Sequence, residues 1–134
     1  MTIAYEWRGA FANPELNTLH AAGFGHAPTH DDWWSRVHRH SLGWVCARDG
    51  AALVGFVNVA WDGASHAFIL DTVVAATAQR QGVGANLIRL AAKEASAAGA
   101  EWLHVDFEPH LSAFYLDHCS FTPTAAGLIA LTTP

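Results

Sequence analysis

The sequence predicts a single mixed α/β (α+β) domain, with a mostly antiparallel central sheet of about six or seven strands flanked by about four helices. Three observations support this prediction. Two apolar runs meet at the turn signal Asp49-Gly50 and a third follows Asp62-Gly63, which is typical of an antiparallel meander. A glycine-rich turn over residues 79–84 then leads into an amphipathic helix. The strand–helix–strand order of the second half adds a parallel pair to the sheet.

The composition indicates one ordered domain, which we expect to span residues 1–134. The chain is 51% hydrophobic and 14% charged, so it can bury a sizeable core. Its net charge of −5 argues against a nucleic-acid partner, because phosphate binding needs clustered Lys and Arg. No apolar run approaches the ~18 residues of a membrane span, and the first residues lack a secretion-signal pattern. The two cysteines lie far apart without a disulfide pattern, so we expect a reducing, cytoplasmic location.

The first half of the chain contains two helices before the meander. The first helix begins at Asn13, which we expect to be its N-cap, and ends near Gly23 or Gly25. The second begins at Asp31 or Asp32. Strands are predicted over residues 3–7, 44–48, 52–61 and 66–75.

The second half alternates between helices and strands. Apolar residues at helical spacing predict a helix over residues 85–98, which Gly99 would end. A strand over residues 102–107 and a helix over roughly 109–118 follow. Two short final strands, over residues 121–124 and 127–131, complete the predicted sheet.

The glycine-rich turn is the first candidate binding site. Gly82 and Gly84 let the backbone turn tightly between a strand and a helix and expose consecutive N–H groups. The positive end of the helix dipole lies at the same place, which favours a bound phosphate or pyrophosphate. A short Gly-x-Gly turn is a weak signal on its own, because many such turns use glycine only for geometry. The longer glycine pattern of a Rossmann loop and the Gly-Lys-Ser/Thr of a Walker loop are both missing.

A set of features in this order resembles the GCN5-related N-acetyltransferase (GNAT) superfamily. They are the pattern Gln79-x-x-Gly82-x-Gly84, the strand before it that ends in residues 70–74, and the pairs Phe114-Tyr115 and Ser120-Phe121. The resemblance covers most of the chain, residues 44–131. It implies a GNAT-like fold, acetyl-CoA as the acyl donor and an amine as the acceptor.

The resemblance implies a coenzyme A site made of the turn and the strand before it. Loop amides would bind the pyrophosphate, and free main-chain groups of a splayed strand would bind the pantetheine arm like an added strand. The residues concerned are Thr72, Val73, Val74, Gln79, Arg80, Gln81, Gly82, Val83, Gly84 and Ala85. Arg80 would add charge to the phosphate contact, or would be merely solvated.

The resemblance also implies that Tyr115 is the general acid that protonates the thiolate leaving group. The chain departs from the family pattern here. The interval from Tyr115 to Phe121 is one residue longer than the usual Tyr-x-x-x-Gly-Phe, Ser120 replaces the glycine, and Glu108 stands where the family often has Asn. A bulge in the helix, or its C-terminal turn, would absorb the extra residue. The alternative is that Tyr115 only packs at a helix boundary.

Asp71 is the first candidate for the general base that deprotonates the amine, because family members often have an acidic residue there. Glu108 is the second candidate, and His66 and His104 follow. Asp71 would alternatively anchor the strand, or bind a cationic amine without accepting its proton. A cysteine nucleophile is the lesser hypothesis, since neither cysteine has an evident base beside it in the sequence.

The chain has nine histidines, which raises the question of a metal site. His38 and His40 are two residues apart and the others are dispersed, without the spacing of metal ligands. We therefore predict hydrogen-bonded or solvated histidines and no metal. Either Trp33 or Trp34 is expected to face the acceptor groove, since both lie on the second helix.

The leading hypothesis is direct transfer of an acetyl group to a primary amine of a small molecule or peptide. Asp62, Asp71 and Glu108, placed near the expected mouth, favour a cationic acceptor. The alternatives are a non-catalytic acyl-CoA-binding sensor or regulatory module, and an interaction domain in which the turn has no ligand. Coenzyme A would raise the melting temperature in every case except the last. A homodimer through sheet edges or late strands is left open, and the acceptor is not given by the sequence.

Overall fold

The computed structural model of the chain describes residues 2–132 and contains, within them, one five-stranded sheet. Its strands follow one another in chain order across the sheet. The elements are β1 (Ala4–Trp7), α1 (Asn13–Phe24), α2 (Trp33–His40), β2 (Ser41–Asp49), β3 (Ala52–Trp61), β4 (His66–Val74), α3 (Val83–Ala97) and β5 (Trp102–His104). A late helical segment over residues 109–118 follows β5.

The predicted meander and parallel pair are both present. Strands β1 to β4 pair antiparallel with their neighbours, and β5 pairs parallel with β4. The β3 bounds match the prediction, and β2 and β4 differ from it by one to three residues at their ends. The mixed α/β class is therefore confirmed.

The predicted count of six or seven strands is wrong for the described residues, because the strands expected over residues 121–124 and 127–131 do not form. The strand predicted over residues 102–107 ends at His104, where the pairing with β4 also stops. A strand adds to a sheet only where a neighbouring strand presents unpaired backbone groups. With β5 this short, the last segment has no strand beside it, and Leu128, Ile129 and Leu131 are 83%, 85% and 92% exposed.

The helices cover both faces of the sheet. Helix α3 packs its buried stripe, including Leu87 and Ala91, on one face together with Val45, Val57 and other strand residues. Helices α1 and α2 pack on the opposite face, where Leu16 and Val37 are fully buried against the aromatic side chains of the second core. None of the helices within residues 2–132 is long and apolar enough to cross a membrane.

The helix ends follow the sequence signals apart from the starts of α1 and α3. Asp32 is the N-cap of α2 and accepts a hydrogen bond from the Ser35 N–H, and Gly25 ends α1 in the left-handed conformation. The N-cap of α1 is Ala12, so the prediction for Asn13 is wrong by one residue. Asn13 instead accepts the Trp34 N–H at 2.9 Å and donates to Asp32 at 3.0 Å, which ties α1 to the start of α2.

Candidate active site

A β-bulge in β4 organises the site. Val73 pairs with Phe56 and Leu70 with Asn58, so two β4 residues, Asp71 and Thr72, face a single position of β3. Asp71 lies in the left-handed region with φ = 58°. Leu70 and Asp71 consequently line the same groove, although consecutive side chains of a regular strand point to opposite faces. The bulge thus turns Asp71 away from the core beneath α3.

Beyond the bulge, β4 and β5 part. Their register ends at the pair Phe68–His104, while β4 continues to Val74 with β3 as its partner on the other side. The predicted splay of the two strands is therefore present, and it exposes one backbone edge of Thr72, Val73 and Val74. The Thr72 side chain turns toward the α3 side, where its Oγ1 is a buried oxygen without a well-aligned hydrogen bond among the described residues.

The glycine-rich turn has the geometry that its sequence predicts. Arg80 and Gly82 have φ values of 62° and 77°, and Gly82 is the N-cap of α3, which begins at Val83 rather than at Ala85. The first-turn N–H groups of a helix have no partner within it, so they are free for an anion. A Cβ on Gly82 would meet open space. Arg80, Gln79 and Gln81 are exposed around this opening.

Gly84 has a different reason to be glycine. A Cβ there would lie 3.0 Å from two ring carbons of Phe114, so the missing side chain lets the late helical segment approach the start of α3. Phe114 in turn packs edge-on against Tyr115, with ring centroids 4.8 Å apart. The glycine-rich turn and Tyr115, the candidate general acid, therefore pack together through Phe114.

The extra residue between Tyr115 and Phe121 is absorbed by a π-helix over Ala113–His118. The Cys119 N–H bonds to the Phe114 carbonyl at 2.9 Å, five residues back, as in a π turn. Ser120, which replaces the family glycine, adopts φ = 65°. A serine is less suited to this left-handed conformation than the glycine of the family pattern would be.

Tyr115 is 6% exposed and lies between the rings of Phe107, stacked at 5.0 Å, and Phe121, edge-on at 5.9 Å. Burial raises the pKa of its phenol above the usual 10.0, and the nearby Thr72 hydroxyl opposes this shift. The phenol is therefore protonated throughout the neutral range. Because the Tyr115 phenol lies near Thr72, it is beside the edge of β4 that β5 does not cover.

A groove of about 700 Å³ lies on the opposite face of the sheet, between α2 and the strands β3 and β4. Asp71 and Asn58 lie at its floor, with Asn58 Nδ2 donating to Asp71 Oδ2 at 3.4 Å. The α2 wall presents Arg36 and Arg39. Its remaining lining residues are Asp32, Ser35, His40, Ser41, Ala60 and Leu70.

Asp71 also contacts α1 behind the groove. Its Oδ1 lies 3.3 Å from Nε2 of His20, and His20 Nδ1 lies 2.8 Å from Nε2 of His26. The sequence analysis proposes neither histidine as a site residue. One sequence feature points to His20: it lies one helical turn after the buried Leu16. Asn58 stands out because it is a polar residue within an apolar strand.

The other predicted acid–base candidates lie apart from Asp71. Glu108 is exposed ahead of the late helical segment and is not among the residues that line the groove. His66 and His104 are exposed on the sheet and contact each other at 2.8 Å. Asp62 accepts hydrogen bonds from the Ala64 and His66 N–H groups, which lower its pKa and assign it to a turn.

Neither tryptophan of α2 lines the groove, which corrects the expectation that one would. Trp33 is 3% exposed and donates to Asn17 Oδ1 at 3.0 Å, while Trp34 packs edge-on against Phe11 at 5.1 Å. The charged residues Arg36 and Arg39 lie on the groove side of this helix instead.

The cysteines are poorly suited to nucleophilic chemistry. Burial raises the pKa of the Cys46 thiol to about 12 and also raises that of Cys119. A thiol with a raised pKa is protonated at neutral pH and is a weak nucleophile. Across residues 2–132, the structure brings no three His, Cys, Asp or Glu side chains together as a candidate metal site.

Comparison with known proteins places this fold among the N-acetyltransferases. The sequence model described as the acetyltransferase (GNAT) family matches residues 5–121. The chain belongs to this family, whose members use acetyl-CoA as the acyl donor. No curated protein matches the chain significantly.

Solved structures share the fold at low sequence identity. A probable acetyltransferase from methicillin-resistant Staphylococcus aureus is 18% identical, with a TM-score of 0.78 over 98% of this chain and 100% of the other. Glucosamine-6-phosphate N-acetyltransferase from Arabidopsis thaliana is 10% identical, with a TM-score of 0.77 over 97% and 99%. AAC(6')-Iy bound to the bisubstrate analogue CoA-S-monomethyl-acetylneamine is 14% identical, with a TM-score of 0.76 over the whole of both chains.

Proposed function

We propose that this N-acetyltransferase transfers an acetyl group directly from acetyl-CoA to a primary amine, with Asp71 as general base and Tyr115 as general acid. The observation that carries the proposal is the β4 bulge. It directs Asp71 to the groove on one face of the sheet and Thr72 toward Tyr115 on the other. The two candidate proton-transfer groups thus approach the parted strands from opposite sides.

Backbone and side-chain groups of this chain match the parts of acetyl-CoA that they would bind. The edge of β4 over Thr72, Val73 and Val74, which β5 does not cover, would bind an amide-bearing pantetheine arm like an added strand, displacing the long 3.4 Å contact of Gln79 Nε2 with the Val74 carbonyl. The N–H groups of Gly82, Val83, Gly84 and Ala85 would bind the pyrophosphate, and the open space above Gly82 leaves room for it. Arg80, Gln79 and Gln81 surround the same opening and would contact its rim.

The proposed roles follow from where protons are needed. The thioester of acetyl-CoA supplies an activated acetyl group, so no acyl-enzyme is required. An amine attacks only when it is neutral, and Asp71 would remove the proton of the bound ammonium. Tyr115, kept protonated by its burial, would donate a proton to the departing sulfur. Glu108 remains the second candidate base, although it lies outside the groove.

The groove favours an acceptor that carries both an amine and an acidic group. Asp71 at its floor would bind the ammonium, while Arg36 and Arg39 on the α2 wall would bind a carboxylate or phosphate. Arg36 also pairs with Asp31 at 3.2 Å, so Arg39 is the better candidate for this contact. This mixed charge adds an acidic group to the cationic acceptor that the carboxylates favour. Amino acids and amino-sugar phosphates are the classes that match.

The experiment is a thiol-release assay with acetyl-CoA and three sets of amines at matched concentration. The sets are polyamines and aminoglycosides, amines with an acidic group such as amino acids and glucosamine-6-phosphate, and peptides with a free N-terminus. We expect turnover in the second set, and an Arg39→Ala variant that raises the KM for that amine without changing the KM for acetyl-CoA.

Two outcomes contradict parts of this proposal. Turnover of polyamines alone, with Arg39→Ala unchanged, contradicts the acceptor class but leaves acetyl transfer standing. A rise in melting temperature with coenzyme A, but no thiol release with any amine, contradicts the catalytic proposal and favours a non-catalytic acyl-CoA-binding module.

A further inference from the structure

We propose that residues 122–132 form an exchanged arm, which adds a strand to the open edge of β5 in a second copy of this chain. Two such contacts, one from each arm, would join the copies in a two-fold symmetric homodimer. This interface is independent of the acceptor and of the proton transfers proposed above.

The arm is apolar, uncharged and open to water. None of residues 122–132 belongs to a helix or a strand, and every one of them is exposed. Leu128, Ile129 and Leu131 are 83%, 85% and 92% exposed, and the arm contains no Asp, Glu, Lys or Arg. Proteins place charges on exposed apolar segments to prevent association, so an uncharged segment of this kind marks an interaction site.

Strand β5 has an open edge. It pairs with β4 on one side, and no strand among residues 2–132 pairs with its other side. Side chains alternate between exposed and half-buried from Trp102 to Glu108, well past the last paired residue, His104. Residues 105–107 therefore keep the alternation of a strand but lack the pairing of one.

Two strands that the sequence predicts and the single chain lacks would form together in the dimer. The strand predicted over residues 102–107 stops at His104, and the strand predicted over residues 127–131 does not form. Each has an apolar strand pattern and needs a neighbour. A second copy supplies both neighbours at once, because its arm would pair with this β5 while its β5 would pair with this arm. Two-fold symmetry then leaves neither an arm nor an edge open.

Both faces of β5 suit an arm that is apolar on both of its own faces. On the α3 side, Leu103 is half-buried against the core. On the opposite face, Phe68 and Trp102 are 40% and 64% exposed, although α1 and α2 cover that face elsewhere. Consecutive side chains of a strand point to opposite faces, so Leu128 would pack on one of these surfaces and Ile129 on the other.

The arm starts from a fixed point and is long enough to reach another copy. The Phe121 N–H bonds to the Tyr115 carbonyl at 3.0 Å, and the two rings lie 5.9 Å apart. At about 3.3 Å per residue, the eleven residues after Phe121 span at most roughly 36 Å. That span is well beyond the radius of gyration of roughly 14 Å expected for a domain of this size.

The area of the arm matches what a stable dimer needs. An extended chain exposes about 1.45 Å² per dalton, so residues 122–132 would expose roughly 1,500 Å². Two arms, each covered over half of this area, would bury roughly 1,500 Å² even before the surface beneath them is counted. Stable protein–protein interfaces bury about 1,600 Å² in total.

The first test measures the oligomeric state of the full chain by sedimentation equilibrium over a range of concentrations. Wild type and the matched control Ile129→Val should sediment at twice the chain mass of 14.4 kDa. Ile129→Glu would place a carboxylate in the contact of each arm and should raise the dissociation constant roughly 100-fold or more. Because residue 129 is 85% exposed in the single chain, the monomer of this variant should fold normally, which circular dichroism checks.

The second test asks whether the arm of one copy meets β5 of the other. Trp102→Lys changes an exposed residue of β5 to one that natural proteins use to block pairing at an edge strand. Alone, Ile129→Glu and Trp102→Lys should each be monomeric at concentrations where the wild type is a dimer. When they are mixed, native mass spectrometry should detect the heterodimer, because the unaltered arm of one variant meets the unaltered β5 of the other.

Three results would overturn the proposal. One is a wild type that stays monomeric, which includes the case of an arm that pairs with β5 of its own chain, so that Ile129→Glu only lowers the melting temperature. Another is an Ile129→Glu variant that dimerises as tightly as Ile129→Val. The third is a pair of monomeric variants that form no heterodimer on mixing, because the arm and the β5 edge would then belong to different contacts.

Discussion

Replacing Tyr115 with Phe removes one oxygen from the site and leaves its packing intact. The ring contacts with Phe107 and Phe121, at 5.0 and 5.9 Å, do not involve the hydroxyl. The hydroxyl lies beside the Thr72 side chain, whose Oγ1 has no well-aligned hydrogen bond among the described residues. The free energy of unfolding should therefore fall by at most about 1 kcal/mol. A change in rate can then be assigned to the lost proton.

The loss of kcat that we expect is at the low end of the rate contributions made by general acids. Such a group contributes roughly 10²- to 10⁴-fold, and a thiolate leaves more readily than an alkoxide because thiols have a pKa of about 8.5. We expect roughly 10²-fold lower kcat in Tyr115→Phe, which corresponds to about 2.7 kcal/mol of transition-state stabilisation. The KM for acetyl-CoA should change little, because the phenol is not needed to bind the donor.

The pH dependence gives a second readout. Because burial raises the pKa of Tyr115 above 10.0, the wild-type rate should fall on the alkaline side only above that pH, as the phenol loses its proton. Tyr115→Phe should lack this fall. The matched control is Tyr5→Phe, whose hydroxyl accepts a hydrogen bond from Asn86 Nδ2 at 3.2 Å on the same face of the sheet but at its opposite edge, on β1. Equal kcat in wild type and Tyr115→Phe on every accepted amine would refute the role of Tyr115 as the acid.

Three further predictions concern the turn, the π-helix and an ion pair. Gly82→Glu should abolish coenzyme A binding, measured by calorimetry, because its side chain enters the proposed pyrophosphate space. Gly99→Glu, which has a similar φ at the other end of α3, should bind coenzyme A normally. Tight binding of coenzyme A by Gly82→Glu contradicts the loop assignment. Ser120→Gly should raise the free energy of unfolding in urea by about 1 kcal/mol, since it relieves a left-handed residue at φ = 65°, and a loss of stability would contradict this. The Arg48 hydrogen bond lowers the pKa of Glu15, so the ion pair stabilises the fold above pH 4.5 and less as the pH falls below it. Glu15→Gln should therefore melt at a lower temperature than the wild type above pH 4.5, and the gap between the two should narrow below that pH. A gap that does not change with pH contradicts the ion pair.

The sequence predicted the elements whose signals are local. The meander and an end of α1 near Gly23 or Gly25 follow from short motifs, and the structure has the meander and ends the helix at Gly25. The parting of β4 from β5 was expected from the family resemblance and is also present. The roles of the loop, Tyr115 and Asp71 remain predictions, because the structure gives their positions and no test of what they do.

What the sequence could not predict depends on contacts between distant segments. The distance between His20 and Asp71 is set by how α1 crosses β4, and no motif near residue 20 reports that crossing. Asn13 does not cap α1 because its side chain is engaged by Asp32 and Trp34, which follow it by about twenty residues in the chain and belong to the next helix. The final strands were expected from their apolar residues, but an apolar pattern does not guarantee a neighbouring strand to pair with.

The same bulge explains why one strand can serve both proton transfers. In a regular strand, Asp71 would follow Ile69 onto the face beneath α3, where a carboxylate would be buried without a partner. The left-handed Asp71 instead shares the groove face with Leu70, and its two oxygens face His20 and Asn58. Such a backbone conformation costs about 1–3 kcal/mol and persists only where the surroundings hold it. Because His20 and Asn58 hold Asp71 from two different elements, loss of either partner should loosen the orientation of Asp71.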